Sequence, residues 1–192
     1  MKIIILLFCF STMVNAQELT VDDFKSIENL KAEVGESSGK KKARALEELY
    51  LKHNNSDLFQ KILLDYLKRT DYEHVNNYFW FALYFMSDYY NDSIDLDFAI
   101  KLLTSGKTEI EGRIENKDNT EEQKLYLTMA HCQILWQTGI FYFNMDDLEK
   151  GGEFFDKAYE NSNCIHAFPA PGKEKKKVIY EKYAKYREAK KN

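Results

Sequence analysis

The sequence has little proline and little glycine. Of its 192 residues, two are Pro and eight are Gly, and both prolines lie in one short stretch, at Pro169 and Pro171. This scarcity of helix-breaking residues argues against a chain of many short elements joined by turns. The long uninterrupted segments are rich in Lys, Glu, Leu and Ala, which are strong helix formers. The composition therefore predicts an all-α fold.

The sequence also lacks an apolar run long enough to span a bilayer. The richest internal segment, 78–86, is short and is bracketed by Asn77 and Asp88. A spanning helix needs about 18 or more consecutive apolar residues. We therefore expect no membrane span in the exported chain.

The N-terminus has the pattern of a secretory signal peptide. Lys2 precedes an apolar run at 3–10, and the small residues of 14–16 form a cleavage site ahead of Gln17. This predicts a signal peptide at 1–16 and a single domain at 17–192, exported to the periplasm or the extracellular space. The alternative of a lipoprotein, with Cys9 as the lipidated residue, is disfavoured by the bulky Phe8 before it.

Positive charge is not in excess. The chain has 27 Lys and Arg against 31 Asp and Glu, for a net charge of −4. A nucleic-acid-binding domain is dominated by basic residues, so we expect no nucleic-acid partner. The one basic segment, 173–191, holds nine Lys or Arg against three Glu, and it places Ile179, Tyr183 and Tyr186 on one helical stripe. It predicts an amphipathic C-terminal helix with a solvated charged face.

Motifs of catalysis are absent. The sequence contains no Gly-rich phosphate loop, no H-E-x-x-H, no G-x-S-x-G and no Asp-rich calcium loop. Among the four histidines, His53 and His74 fall near predicted helix boundaries, where surface capping is the common role. We therefore expect no catalytic residue, no cofactor, no metal and no enzyme activity. A metal-dependent or hydrolytic activity stays open as a distant alternative.

Hydrophobic periodicity and capping residues predict eight helices. Thr20 caps the first, and Thr120 with Gln123 forms a capping box at the sixth. Gly106 is placed to end the fifth helix. The predicted bounds are 20–34, 40–53, 56–68, 71–90, 95–105, 120–143, 147–162 and 173–190.

One spacing of large and small residues occurs twice. Both copies step through the chain by the same intervals: Leu83, Ser87, Tyr90, Ala99, Leu103 and Gly106 in the first, and Leu135, Gly139, Tyr142, Gly151, Phe155 and Ala158 in the second. Glycine inside a helix is unfavourable, so we predict that Gly139 and Gly151 lie where two helices touch. The pattern resembles the tetratricopeptide repeat (TPR), a helix-turn-helix unit of about 34 residues.

The resemblance covers 80–113 and 132–165, and a third, degenerate copy over the second and third helices is possible. Both clear copies depart from the family pattern, because Met86 and Thr138 replace its Leu and its closing Pro is absent. The implied fold is an all-α, right-handed array of helical hairpins, a TPR-like solenoid, with capping helices at each end. An irregular array of related hairpins is the alternative.

The resemblance also implies a binding surface. TPR proteins bind other proteins or peptides on a concave face lined by the first helix of each unit. Carried over to this chain, those positions are Phe81, Tyr84, Asp88, Asn91, Gln133, Trp136, Ile140 and Phe143. The expected function is an exported protein–protein interaction module, adaptor or inhibitor-like, with the four aromatic rings as the binding hot spot. The alternatives are that these rings form ordinary core, and that the protein is a structural component of a cell-envelope assembly.

The two cysteines outside the leader lie at facing ends of the second predicted hairpin. Cys132 begins the first helix of that unit and Cys164 follows the second, so antiparallel packing predicts a disulfide between them. Two buried free thiols are the alternative. A zinc site with His131 and His166 is disfavoured, because neighbouring helical residues diverge by about 100°.

Overall fold

The structure, a computed structural model, describes residues 18–53, 57–71, 74–86, 95–167 and 173–191. The predicted signal peptide lies outside these residues. The described chain contains helices and no β-strand, which confirms the all-α prediction. Its elements are α1 (Val21–Glu28), α2 (Ser38–Lys52), α3 (Asp57–Lys68), α4 (Asn77–Phe85), α5 (Leu96–Ile114), α6 (Glu121–Asn144), α7 (Leu148–Glu160), a 3₁₀ helix (Ser162–Ala167) and α8 (Lys173–Ala189).

The helices pack in the order in which they occur. From α4 to α8, each helix lies against the next one along the chain, and α6 also touches both α4 and α8. At the N-terminal end, the short helix α1 packs against both α2 and α3. Two pairs, α4 with α5 and α6 with α7, therefore have the neighbour relations of stacked hairpins.

Side-chain caps fix where several helices begin. The Asp95 carboxylate accepts a hydrogen bond from the Phe98 backbone N–H at 2.8 Å, at the start of α5. At α6, Thr120 Oγ1 accepts from the Gln123 N–H, and the Gln123 side chain accepts from the Thr120 N–H. The capping box predicted at this position is therefore confirmed, and these bonds satisfy N–H groups that have no partner within the helix.

Several helix ends differ from the predicted ones; among them, α4 ends at Phe85, whereas the fourth helix was predicted to reach residue 90. Helix α1 ends at Glu28, and Val34 lies fully exposed beyond it. Helix α4 begins at Asn77 and not at residue 71, and α7 ends at Glu160, where the chain continues into a 3₁₀ helix. The prediction that Gly106 ends the fifth helix was wrong, because α5 continues through Gly106 to Ile114.

Glycines mark the closest helix contacts. A Cβ atom on Gly106 would lie 2.6 Å from Tyr78 Cβ, so this glycine brings α5 against α4. A Cβ on Gly139 would lie 2.7 Å from Phe155 Cε2, and one on Gly151 would lie 2.5 Å from Phe143 Cδ1. Since Cβ atoms do not approach other carbons this closely, the prediction that Gly139 and Gly151 lie where two helices touch is confirmed.

The repeated spacing is a pattern of buried contacts. The members of both copies that the structure describes are buried, apart from Tyr142, which is half-buried; Ser87 and Tyr90 lie outside the described residues. The core consists of two hydrophobic clusters: one extends from α1 to the first half of α6, and the other joins the second half of α6 to α7 and α8. None of the helices in the described part of the chain has both the length and the apolar content to cross a membrane.

Candidate functional site

Cys132 and Cys164 are buried and form a disulfide, which confirms the predicted pairing. Their Cα atoms lie 4.9 Å apart, and the bond ties α6 to the 3₁₀ helix after α7. The indole Nε1 of Trp136, one turn along α6, donates a hydrogen bond to the Cys164 carbonyl oxygen at 2.7 Å. Because each sulfur is bonded to the other, neither is available as a thiolate ligand, so the zinc alternative is wrong.

The predicted aromatic hot spot is core. Phe81, Tyr84, Trp136 and Phe143 are 0% to 6% exposed, and a ring must be accessible to anchor a partner. The rings do not share one surface either, since Phe81 and Tyr84 belong to the first hydrophobic cluster and Trp136 and Phe143 to the second. Trp136 packs edge-to-face on Phe155, with ring centroids 4.8 Å apart.

Of the four remaining predicted binding positions, the structure describes two, Gln133 and Ile140. Gln133 and Ile140 are half-buried on α6, and Ile140 packs against the second hydrophobic cluster. The side-chain oxygen of Gln133 is buried with no hydrogen-bond partner among the described residues. Asp88 and Asn91 lie outside the described residues.

An open cleft of about 420 Å³ lies between the first turns of α2 and one face of α4. We call it the α2–α4 cleft. Two of the predicted residues, Phe81 and Tyr84, contribute to its wall. Its lining is Ile27 and Glu28 of α1, Ser37, Ser38, Gly39 and Lys42 at the start of α2, and Asn77, Trp80, Phe81 and Tyr84 of α4.

Trp80 is the exposed aromatic side chain of this cleft. It is 43% exposed, whereas seven of the other residues of α4 are buried. The sequence analysis did not single it out. A signal was present, because Asn77, Trp80 and Tyr84 are spaced by three and four residues and so share one helical stripe. Trp80 combines a large apolar ring with an N–H donor, as residues that anchor protein partners commonly do.

Glu28 holds the wall of the cleft in place. Its carboxylate accepts hydrogen bonds from the Tyr66 hydroxyl of α3 and from Asn77 Nδ2 of α4, the latter at 2.7 Å. His74 Nδ1 lies 3.5 Å from the same carboxylate. Burial, together with the hydrogen bond to Glu28, raises the pKa of Tyr66, so this hydroxyl stays protonated and donating. One side chain of α1 therefore fixes the relative positions of α1, α3 and α4.

A second polar cluster lies between α5, α6 and α7. Glu111 of α5 pairs with Lys107 at 2.8 Å and with His131 Nε2 of α6 at 3.1 Å, beside a cleft of about 480 Å³. Burial lowers the pKa of His131, although the neighbouring Glu111 carboxylate opposes that shift. The described residues contain no group of three His, Cys, Asp or Glu side chains that could hold a metal ion.

A third polar cluster attaches α8 to α7. The Asp156 carboxylate of α7 accepts hydrogen bonds at 2.7 to 3.1 Å from three side chains of α8, Tyr183, Tyr186 and Arg187, and from Lys190 just after this helix. Burial acts to raise the pKa of Asp156, but these donors outweigh it and hold the pKa at about 2. The basic residues of α8 thus serve in part to attach that helix to the body of the protein.

No protein family, curated protein or solved structure matches this chain. Kinship with the TPR proteins therefore stays a prediction from the repeated spacing. What the α2–α4 cleft does is therefore inferred from the residues that line it, and not from a relative.

Proposed function

We propose that this protein is an exported interaction module that binds a segment of a partner protein, or a peptide, in the α2–α4 cleft. The observation that carries the proposal is Trp80, a large aromatic side chain that is 43% exposed in a concave site. An exposed tryptophan in a cleft is a typical anchor position for a protein partner. The proposal keeps the predicted mode of action, the binding of a protein or peptide, but assigns it to Trp80 in place of the four buried aromatic rings.

The chemistry of the cleft supports binding more than catalysis. Aromatic and aliphatic groups offer apolar contact area, while Ser38, Lys42 and Asn77 offer polar groups at the edge. The carboxylate of Glu28 is already engaged by three neighbours, so it serves to position the helices. An apolar anchor site with a polar rim is the usual anatomy of a protein interface.

In the TPR-like array that the sequence predicts, this cleft would lie on the concave side. Helices α2 and α4 would be the first helices of successive hairpins, and their facing side would be concave in a right-handed stack. The signal-peptide pattern supports export, which places the partner in the periplasm or outside the cell. A structural role in a cell-envelope assembly is the second candidate; it would use the convex side of the array or the charged C-terminal helix.

The test compares wild type with Trp80→Ala. A displayed library of random peptides is selected on the purified wild-type protein, and the enriched peptides are measured against both proteins by calorimetry. We expect Trp80→Ala to weaken binding at least about tenfold, which corresponds to about 1.4 kcal/mol. Intrinsic fluorescence gives a second readout, because Trp80 is exposed and Trp136, the other tryptophan, is 1% exposed.

The matched control is Leu58→Ala, which removes another exposed apolar side chain, on α3 and outside the cleft. Circular dichroism should show unchanged helix content in both variants. The enriched peptides are then used to identify a candidate partner in the secretory compartment, by pull-down with wild type and Trp80→Ala as parallel baits. Peptides that bind both proteins equally would show that the binding site lies elsewhere.

A further inference from the structure

Lys42 is the cation among the described residues that line the α2–α4 cleft. Its side chain is half-buried, and it takes part in none of the ion pairs and hydrogen bonds formed by the described part of the chain. A charge that is partly withdrawn from water is stabilised by a partner of opposite sign. Lys42 is therefore a charged group of the cleft whose partner is missing from its own chain.

The neighbours of Lys42 on its own helix do not supply that partner. On a helix, the side chains three and four positions away are the adjacent ones. Around Lys42 these positions hold Ser38, Gly39, Ala45 and Leu46, and none of them is acidic. The first turn of α2 contains no acidic residue either.

Two other cations of the same segment do have carboxylate partners. Lys41 pairs with Glu33, and Arg44 pairs with Glu36 at 2.6 Å. Both carboxylates come from the segment just before α2, and none of these four residues lines the cleft. Lys42 differs from these two cations because it lies in the wall of the cleft, so a bound ligand can reach it.

The carboxylate of the lining, Glu28, is less available than the Lys42 ammonium. Its oxygens accept hydrogen bonds from the Tyr66 hydroxyl and from Asn77 Nδ2, and its side chain is 22% exposed. A cationic ligand would compete with these donors, whereas an anionic ligand meets no competitor at Lys42. Although the two charges of the lining cancel, their different availability makes the cleft complementary to a negative group.

The negative group that suits this site is a carboxylate on a side chain. Capture of the C-terminal carboxylate of a chain uses backbone N–H groups that converge on it. At the start of α2, the N–H groups of Lys40 and Lys41 are already taken by the hydroxyl and the carbonyl of Ser37. The Lys42 ammonium is a flexible point charge, which binds a carboxylate without requiring one fixed geometry.

Lys42 and Trp80 together define the class of ligand. We infer that the segment bound in the α2–α4 cleft carries an acidic side chain, Asp or Glu, that pairs with Lys42, close to an apolar side chain that packs against Trp80. This inference rests on the proposed function and specifies its ligand. The cleft, of about 420 Å³, is near the small end of the range of ligand pockets, so it fits a short acidic and apolar stretch of a partner.

The test uses the peptides that are enriched on the purified wild-type protein from a displayed random library. We expect them to contain Asp or Glu within a few residues of an aromatic or large aliphatic residue. Lys42→Gln should weaken their binding about threefold to fivefold in calorimetry, the upper end for a partly exposed ion pair. Replacing the acidic residue of the peptide by its amide should cause a similar loss with wild type and almost no loss with Lys42→Gln.

The matched control is Lys61→Gln, which removes an exposed lysine on α3, outside the cleft, and should leave binding unchanged. Circular dichroism shows whether each variant is folded, and Lys42→Met replaces Lys42→Gln if the latter is not. The amide peptide measured on wild type needs no protein variant.

The outcomes separate this inference from the proposed function. Peptides that need Trp80 but bind Lys42→Gln as tightly as wild type overturn the inference and leave the proposed function intact. Peptides that bind Trp80→Ala as tightly as wild type overturn both. If amidation of the peptide C-terminus, and not neutralisation of an acidic side chain, causes the loss of binding, the ligand is a chain end and the inference is wrong.

Discussion

Replacing Asp156 by Asn should weaken the attachment of α8 to the body of the protein. This carboxylate accepts hydrogen bonds from four side chains in α8 and just after its end, two of which, Arg187 and Lys190, are cationic. Asn has nearly the same shape, but it lacks the charge and replaces one acceptor oxygen by a donor. The substitution therefore tests the electrostatic part of the attachment with little change in packing.

The pKa of Asp156 gives the size of the effect. Its pKa is held at about 2, against an ordinary value of 3.8. A difference of one pKa unit corresponds to about 1.4 kcal/mol, so the folded state is favoured by about 2 kcal/mol when the carboxylate is ionised. Because the pKa is lower in the folded state, this contribution is complete above the unfolded pKa and is lost as the pH falls. About half of it should remain at a pH of about 3.

Urea denaturation followed by far-UV circular dichroism measures the effect. At neutral pH, Asp156→Asn should lower the free energy of unfolding by about 2 kcal/mol relative to wild type, and the difference should shrink as the pH is lowered from about 5 to about 3. Asp118→Asn, an exposed residue in the turn between α5 and α6, is the control and should have almost no effect. A difference between wild type and Asp156→Asn that is the same at both ends of this pH range would refute the reasoning.

Two further predictions concern packing and pH. Gly139→Leu should lower the free energy of unfolding by about 1–3 kcal/mol, because the new Cβ would collide with the Phe155 ring. The control is Gly112→Ala, where a Cβ meets nothing within 4 Å. This change should leave the free energy of unfolding unchanged or raise it by up to about 1 kcal/mol. Thermal melting of both variants checks this, and equal melting temperatures would contradict it. Burial is the main cause that lowers the pKa of His131 in the folded protein, so the unfolded protein binds a proton at this residue more readily. The free energy of unfolding should therefore fall as the pH drops below about 6.5. His131→Gln should flatten that pH dependence between about pH 7 and 5 in urea denaturation; an unchanged slope would show that other groups cause it.

Local chemistry in the sequence was enough to predict several features of the fold. The capping box at Thr120 depends on residues three positions apart, and the disulfide depends on two positions at facing ends of one hairpin. Gly139 was recognisable because glycine is unfavourable inside a helix unless close packing requires it. These predictions needed only spacing, and spacing is visible in a single sequence.

Tertiary contacts decided the features that the sequence analysis missed. Gly106 looked like a helix end, but Tyr78 and Ile134 lie so close to it that a glycine is needed inside α5. In α4 the apolar residues surround the helix, so periodicity could not show which side is exposed. The exposure of Trp80 depends on where the start of α2 lies, and that segment is distant from Trp80 in the sequence.

The packing of α8 explains why two rings of the predicted hot spot, Trp136 and Phe143, are core. In a long array of helical hairpins, most first helices have neighbours on both sides within the stack and keep one face open. Here α8 packs on the pair of α6 and α7 through Ile179 and the contacts of Asp156. Phe143 and Trp136 are therefore needed to fill the second hydrophobic cluster, and they cannot also serve as an open binding surface. Exposed apolar side chains line clefts instead at Trp80 and at Met145, and burial of such area is what a partner bound at the proposed site would gain.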